Sequence, residues 1–185
     1  MSNHARGLWG YTGATSKGEL TIQSTGMGGP SAAIVLADLV ELGVRRAVRI
    51  GTCVAIEPEP GPGKLLIALE AHAWGGGGAG EPVLADPTLT ARLRDELGAE
   101  ASPATVASLD VLHQSGSPEA AEYADRVDAA DMQTATLLAH AEALGMAIAA
   151  ILIVTESASG EQASDEQLEA AAKRAGSAAF SILSG

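Results

Sequence analysis

The sequence predicts an α/β fold, a single domain in which a mixed, largely parallel sheet is flanked by helices. Apolar runs of strand length alternate with amphipathic helical segments along the chain. The 185 residues suit one domain, and a hydrophobic content of 46% is enough to bury a core. Neither an internal repeat nor an interdomain linker interrupts the pattern, so we assign residues 1–185 to one domain.

The first predicted unit is a strand, a glycine-rich loop and a helix. Residues 20–24 alternate apolar and polar side chains, which is typical of a strand with one buried face. Residues 26–30 contain three glycines and end with proline. Residues 31–42 then place apolar side chains at helical spacing, and Gly43 follows where a helix would end.

Two buried strands and a glycine loop follow. Residues 47–51 and 65–69 are strongly apolar, and we expect them to be neighbouring strands joined by the Pro/Gly-rich turn at residues 57–63. Residues 74–82 include four consecutive glycines and predict a mobile surface loop or lid, with a plain flexible connector as the alternative.

The second half of the chain continues the alternation of strands and helices. A turn leads into a short helix within residues 115–123. The other predicted elements are helices at residues 88–97, 132–144 and 165–183 and strands at residues 105–108 and 147–155.

Composition excludes several classes of partner. The net charge of −12 repels a polyanion, so we expect no nucleic acid partner. The single Cys53 cannot form an internal disulfide, and the sequence contains neither a signal-peptide pattern nor an apolar run of membrane-spanning length. The four histidines lack metal-ligand spacing. We therefore expect a cytoplasmic protein with no metal and no membrane partner.

The glycine-rich loop is the first candidate binding site. Ligands of such sheets bind in the loops beyond the strand ends. Glycines at residues 26, 28 and 29 let backbone N–H groups approach a ligand, and the following helix N-terminus favours an anion. An ordinary strand-to-helix turn is the alternative, and it would be preferred if the loop stood alone.

Arg49 and Thr52 form the second candidate site. Arg49 lies inside an apolar strand, where an unpartnered guanidinium is unfavourable. An anion such as phosphate, bound by Arg49 and Thr52, would provide a partner. An internal salt bridge to a carboxylate is the alternative.

The third candidate site combines residues 131–133 with residues 155–157, which we expect to meet at one edge of the sheet. Gln133 is suited to hydrogen-bond vicinal hydroxyls, and Met132 to pack on a sugar face. Glu156 is suited to donate a proton to a leaving base. A solvated carboxylate at a strand end is the alternative for Glu156.

Several motifs in this order resemble the trimer- and hexamer-forming branch of nucleoside phosphorylases, which includes bacterial purine nucleoside phosphorylase and uridine phosphorylase. They are RG at residues 6–7, GYTG at 10–13, STGMGGPS at 24–31 and RIGTC at 49–53. MQTATLL at residues 132–138 resembles the family's Met-Glu-Ser-Ala-Thr-Leu-Leu, and IVTE at 153–156 resembles its Val-Ser-Asp strand end. The resemblance covers nearly the whole chain.

This resemblance implies a phosphate site and a sugar site. Arg49, Thr52 and Gly26 would bind phosphate, and Arg6 would reach across a dimer interface into the phosphate site of a neighbouring subunit. The residues that would contact ribose are Met27, Met132 and Gln133.

The resemblance also implies a base site and a reaction. Leu112 stands where the family stacks an aromatic residue on the base, and Asp131 and Thr155 would complete this site. Glu156 stands where purine-specific relatives have the aspartate that protonates the leaving purine. Arg49 and Glu156 would then be catalytic, with phosphate as co-substrate and no other cofactor. The sugar would become oxocarbenium-like while phosphate stabilises it.

Four departures from the family predict an altered substrate or impaired turnover. Before Arg6 the family's first strand has no counterpart, which implies either a start upstream of this one or a natural truncation. Gln133 replaces a glutamate, Glu156 an aspartate and Leu112 an aromatic residue.

Three functions are therefore weighed. A phosphorylase that leans towards purines is preferred, because hydrolytic nucleosidases of the superfamily generally lack the arginine at position 49. A nucleosidase and a catalytically degenerate nucleoside-binding relative are the alternatives. The Ala-rich helices and the implied role of Arg6 predict a homodimer or a hexameric ring of dimers.

Overall fold

The computed structural model describes residues 7–16, 18–75, 78–112 and 118–184. Within these ranges the five α-helices are α1 (Gly28–Glu41), α2 (Pro87–Leu97), α3 (Pro118–Ala124), α4 (Thr134–Ala143) and α5 (Asp165–Leu183), and a short 3-10 helix, Gly98–Glu100, follows α2. The nine strands are β1 (Gly10–Thr15), β2 (Gly18–Gln23), β3 (Arg46–Ala55), β4 (Leu65–Gly75), β5 (Gly78–Ala79), β6 (Val83–Leu84), β7 (Ala101–Leu109), β8 (Ala129–Asp131) and β9 (Ala147–Glu156).

Five strands close into a ring in the order β4, β7, β8, β3 and β9, because β9 pairs back onto β4. The pairs β4–β7, β7–β8 and β3–β9 are parallel. The pairs β3–β8 and β4–β9 are antiparallel, and so are the short strands β5 and β6 on β4. β1 and β2 form a separate antiparallel hairpin. The predicted mixed sheet is confirmed.

Helices cover both sides of this sheet, as the sequence predicts. The side chains of Ala150 and Leu152 in β9 belong to the hydrophobic cluster that includes residues of α1 and α4. Their neighbours Ala149 and Ile151 belong to the cluster formed with α2 and α5. Because successive side chains of a strand point to opposite faces, β9 is buried on both sides and reads as a continuous apolar run.

Two expectations about connections were wrong. β3 and β4 are not neighbours in the sheet, since β9 lies between them and pairs with both. The expectation of a loop at residues 74–82 was wrong in part, because β4 extends to Gly75 and β5 (Gly78–Ala79) pairs back onto it, whereas residues 80–82 are not in a strand. Residues 76–77 lie outside the described residues.

Local capping accounts for where several helices begin. The Ser164 hydroxyl accepts from the Gln167 backbone N–H, and the Gln167 side chain accepts from Ser164 N–H, which forms a capping box at α5. The Asp86 carboxylate caps α2 by accepting from the Leu89 backbone N–H. None of the helices that the structure describes is both long and apolar enough to cross a bilayer.

Candidate functional site

The candidate site is centred on the turn between β8 and α4, where Asp131 gathers side chains from three elements. Its Oδ1 accepts from the Ser108 hydroxyl of β7 at 2.5 Å and from Gln133 N–H at 3.2 Å. Its Oδ2 accepts from the Thr134 hydroxyl at 2.7 Å and from Arg49 Nη2 of β3 at 2.6 Å. The Asp131 side chain is 0% exposed, so these groups satisfy a fully buried carboxylate.

Arg49 is the cationic partner of this carboxylate. Its side chain is 10% exposed, and Nε also donates to Thr134 Oγ1 at 3.2 Å. The structure therefore contains the internal ion pair that the sequence left open as an alternative to a bound anion. A Cβ atom on Gly51 would overlap the Arg49 guanidinium, so glycine at this position makes room for the arginine side chain.

The glycine loop lies between β2 and α1. Gly26 and Gly28 have φ angles of 72° and 77°, a region that favours glycine. The Ser31 hydroxyl donates to Thr25 O at 2.7 Å and closes the loop. Met27 occupies the N-cap position of α1 and provides no side-chain hydrogen bond to it. The first N–H groups of α1 thus lack a side-chain cap, as in helices that bind anions at this end.

Gln133 ties the glycine loop to the start of α4. Its Nε2 donates to Gly26 O at 2.7 Å and to Gly28 O at 3.1 Å. Its Oε1 accepts from the Thr25 hydroxyl at 3.2 Å. Both amide protons are thus used within the protein, which leaves the amide oxygen as the group with capacity for a ligand hydroxyl. The ribose contact of Gln133 stays a prediction.

A groove of about 630 Å³ runs along β3 and brings part of the predicted phosphate site together. Arg49, Thr25 and Gly26 line it. Arg45 and Arg46 line it as well, against a single carboxylate, Glu19, although the whole chain has a net charge of −12. The groove therefore concentrates positive charge in an otherwise acidic protein, which favours an anionic ligand.

A β-bulge at the end of β9 determines where Glu156 lies. Cys53 pairs with Val154 and Val54 pairs with Glu156, so the register skips Thr155. The Thr155 hydroxyl donates to Cys53 O at 3.0 Å. Because one skipped residue reverses the alternation of side chains, the bulge presents Glu156 on the opposite face from a regular ladder.

Glu156 lies at some distance from the arginine. Its partner Val54 is five positions beyond Arg49 in β3, which corresponds to roughly 16 Å along the strand. Glu156 Oε2 accepts from Gln162 Nε2 at 3.4 Å, and the side chain is half-buried.

The other predicted site residues that the structure describes do not line the groove along β3, and they differ in exposure. Met27 is 82% exposed and Thr52 is exposed, whereas Met132 is half-buried. Leu112 is exposed at the edge of a described segment, and Arg6 lies outside the described residues. The roles of all of these residues stay predictions.

Asp131 occupies a different environment from the base site expected for it. Its carboxylate faces Arg49 and has no exposed surface, and that pairing could not be read from the sequence. Ser108 and Thr134 were also not predicted as hydrogen-bond donors to Asp131. A hydroxyl side chain within an apolar stretch was the one sequence signal that pointed to either of them. The predicted contact of Asp131 with a base stays a prediction.

Cys53 lies next to this network but does not supply a reactive thiol. Burial raises its pKa from 9.0 to about 12, with a further increase from the nearby Asp131 charge and a partial offset from Arg49. The thiol is protonated at neutral pH, so Cys53 is not a nucleophile there.

Comparisons with known proteins give a consistent result. The sequence profile of the Phosphorylase superfamily matches residues 2–185. Purine nucleoside phosphorylase DeoD-type of Geobacillus kaustophilus is 42% identical over 71 residues. The proteins of the same name from Caldanaerobacter subterraneus and Alkaliphilus metalliredigens are 37% and 36% identical over 70 residues. Each of these alignments covers 37% of this chain and 30% of the relative's own length.

Proposed function

The chain belongs to the phosphorylase superfamily, and from this premise we propose that it is a nucleoside phosphorylase. The proposed reaction cleaves the N-glycosidic bond of a purine nucleoside with inorganic phosphate and yields the free base and a pentose 1-phosphate. Phosphate is the co-substrate and no other cofactor is part of the proposal. The proposed location is the cytoplasm.

The position of Arg49 carries this proposal. Its guanidinium reaches a cationic groove beside the glycine loop, and Gly26 lines the same groove. Arginine binds phosphate through a planar set of donors, and exposed backbone N–H groups of a glycine loop add further donors. In the proposed site Arg49 and Gly26 bind phosphate, with Thr52 and the neighbouring subunit's Arg6 completing it.

The sugar and the base would occupy the space between Arg49 and Glu156. The backbone positions of the two residues are separated by roughly 16 Å along the strands, and in the proposal phosphate lies at the Arg49 end and the base at the Glu156 end. Met27, Met132 and the amide oxygen of Gln133 are the proposed ribose contacts. Leu112 and Thr155 are the proposed base contacts. Asp131, which the resemblance also implies as a base contact, is fully buried against Arg49.

The proposed mechanism depends on charge rather than on a covalent intermediate. As the glycosidic bond lengthens, positive charge develops on the sugar, and the bound phosphate stabilises it before forming the new bond. Glu156 would donate a proton to the purine, so the base leaves as a neutral molecule. The phosphate oxygen then forms the bond to the sugar carbon that the base has left.

The ion pair of Arg49 supports a second candidate function. Asp131 at 2.6 Å compensates the positive charge of Arg49, which weakens the attraction for phosphate. A site with such a compensated charge suits a hydrolytic nucleosidase that uses water, or a nucleoside-binding relative without turnover.

Release of free base from a panel of purine and pyrimidine nucleosides, with and without phosphate, tests the proposal. We expect release from purine nucleosides only when phosphate is present. Release that is equally fast without phosphate would identify a nucleosidase, and tight nucleoside binding without any release would identify a binding protein.

Two arginine variants make this experiment specific. Arg49→Ala should lower kcat/KM for phosphate roughly 100-fold or more, as expected for the loss of a donor to a developing charge. Arg174→Ala is the matched control, because Arg174 also forms an ion pair but lies on α5 against Glu100. Equal effects of the two variants would remove Arg49 from the phosphate site.

A further inference from the structure

We infer that Asp131 is a positioning residue, which holds the Arg49 guanidinium in the one orientation that can bind phosphate. This inference rests on the proposed function, since it concerns the same phosphate site. It assigns Asp131 to the arginine rather than to the base.

The first observation is the way in which Arg49 is held. Asp131 Oδ2 and the Thr134 hydroxyl bind Nη2 and Nε, the two donors along one side of the guanidinium plane. Within the described residues these are the side-chain hydrogen bonds of Arg49. Nη1, which lies over Gly51, and the second proton of Nη2 form no hydrogen bond with the residues that the structure describes, and Arg49 lines the groove.

The second observation is that the Asp131 carboxylate is itself held by several hydrogen bonds. Both of its oxygens accept hydrogen bonds from the backbone N–H of Thr134. Ser108 and Gln133 donate to the same carboxylate, and Ser108 in turn accepts from Ala135 N–H. A carboxylate held by β7 and by the start of α4 cannot follow a moving arginine, so it sets the direction of the guanidinium.

The third observation is the close packing on the opposite side. Gly51 leaves no space between its Cα atom and the guanidinium, since any Cβ atom there would overlap with the arginine. The guanidinium is thus confined by a backbone surface on one side and by two hydrogen-bonding partners along its edge. An arginine ordered in advance loses less conformational entropy when the anion binds.

Asp131→Asn separates positioning from simple electrostatics, because the two effects have opposite signs. Removing a negative charge next to an anion site would by itself tighten phosphate binding. If Asp131 positions Arg49, the loss of the ion pair instead weakens it, because the guanidinium is no longer held. We expect the KM for phosphate to rise roughly 10-fold to 100-fold, with the KM for the nucleoside unchanged.

Two further variants keep the experiment decisive if Asp131→Asn folds poorly. Gly51→Ala displaces the guanidinium without changing any charge, and it should produce the same rise in the KM for phosphate. Leu93→Val is the control for general destabilisation, because Leu93 is fully buried in the α2 and α5 cluster. It should lower the Tm and leave both KM values unchanged.

The possible outcomes distinguish the inference from the function on which it rests. An unchanged or lower KM for phosphate in Asp131→Asn and Gly51→Ala, with an active wild-type protein, would overturn the inference alone. A wild-type protein that neither uses phosphate nor binds it in calorimetry would overturn the proposed function and the inference together. A selective rise in the KM for phosphate in either variant, absent from Leu93→Val, supports the inference.

Discussion

The amide of Gln133 shows why the identity of a single side chain matters in this site. Where the resemblance places a glutamate, this chain has a glutamine whose Nε2 donates to two carbonyl oxygens of the glycine loop. A carboxylate has no proton to donate. Glutamine is therefore the residue that this arrangement of the loop requires.

Gln133→Glu should accordingly be destabilising, although it restores the residue that the resemblance implies. The carboxylate would face Gly26 O and Gly28 O without a donor, so we expect the free energy of unfolding to fall by on the order of 2 kcal/mol. Turnover should also fall, because the glycine loop loses its two hydrogen bonds to the start of α4. Denaturant unfolding and the steady-state rate are the measurements.

Gln23→Glu provides the matched control for this prediction. Gln23 Nε2 also donates to two carbonyls, Trp9 O and Ser24 O, but in an exposed setting where water can replace it. We expect little change in the free energy of unfolding of the Gln23→Glu protein. A more stable or faster Gln133→Glu protein would instead favour the purely electrostatic argument drawn from the sequence.

At the scale of elements, helix α5 is fastened to the end of α2 by one arginine. Arg174 Nε and Nη2 donate to the two oxygens of Glu100, at 2.9 and 3.0 Å, and Nη2 also donates to Glu96 O at 2.7 Å. The hydrogen bond from Arg174 lowers the pKa of Glu100 below its ordinary value of 4.5. This contact joins the two helices that cover one face of the sheet.

Arg174→Ala should lower the Tm by roughly 1–3 °C at pH 7, because exposed ion pairs contribute little. A carboxylate with a lowered pKa stabilises the folded state above its ordinary pKa, and this contribution is lost as the pH falls through the folded value. The difference in Tm between Arg174→Ala and the wild-type protein should therefore disappear as the pH drops below 4.5. Thermal unfolding at pH 7 and at pH 3 is the measurement.

The control for this element-scale prediction is Lys173→Ala on the same helix. Lys173 pairs with Glu169 one turn away within α5, and both side chains are mostly exposed. The Tm of the Lys173→Ala protein should be nearly that of the wild-type protein. A drop equal to that of Arg174→Ala would show that helix propensity, rather than the contact between α2 and α5, is responsible.

At the scale of the whole molecule, the β1–β2 hairpin presents an apolar surface outside the closed ring of strands. Tyr11 lies directly across from Ile22, and Trp9 immediately precedes β1, two residues from Tyr11. All three side chains are exposed, Ile22 by 70%. An apolar patch of this kind is typical of an interface between protein chains.

The homodimer or hexamer expected from the sequence would use this hairpin face. Light scattering should give the mass of at least two chains, and Ile22→Lys should shift the protein towards smaller species. Ala14→Lys is the control, since Ala14 lies on the opposite face of β1 and is also exposed. A wild-type mass of one chain would contradict the prediction and remove Arg6 from the neighbouring phosphate site.

The sequence by itself determined the fold class, the layered arrangement and the need of Arg49 for an anionic partner. These follow from local patterns, because hydrophobic periodicity specifies helices and strands, and a cation in an apolar strand is unfavourable without a partner. The strands β1 and β8 were missed, since β1 has little burial and β8 is three residues long.

Only the tertiary structure decided which partners these residues have. Asp131 is 82 positions from Arg49, and Gln133 is 107 positions from the carbonyl of Gly26 that it binds. The bulge at Thr155 and the return of β9 onto β4 likewise depend on strands that are distant in the chain. No local pattern specifies such contacts, because their energy arises only when the sheet closes and brings these groups together out of water.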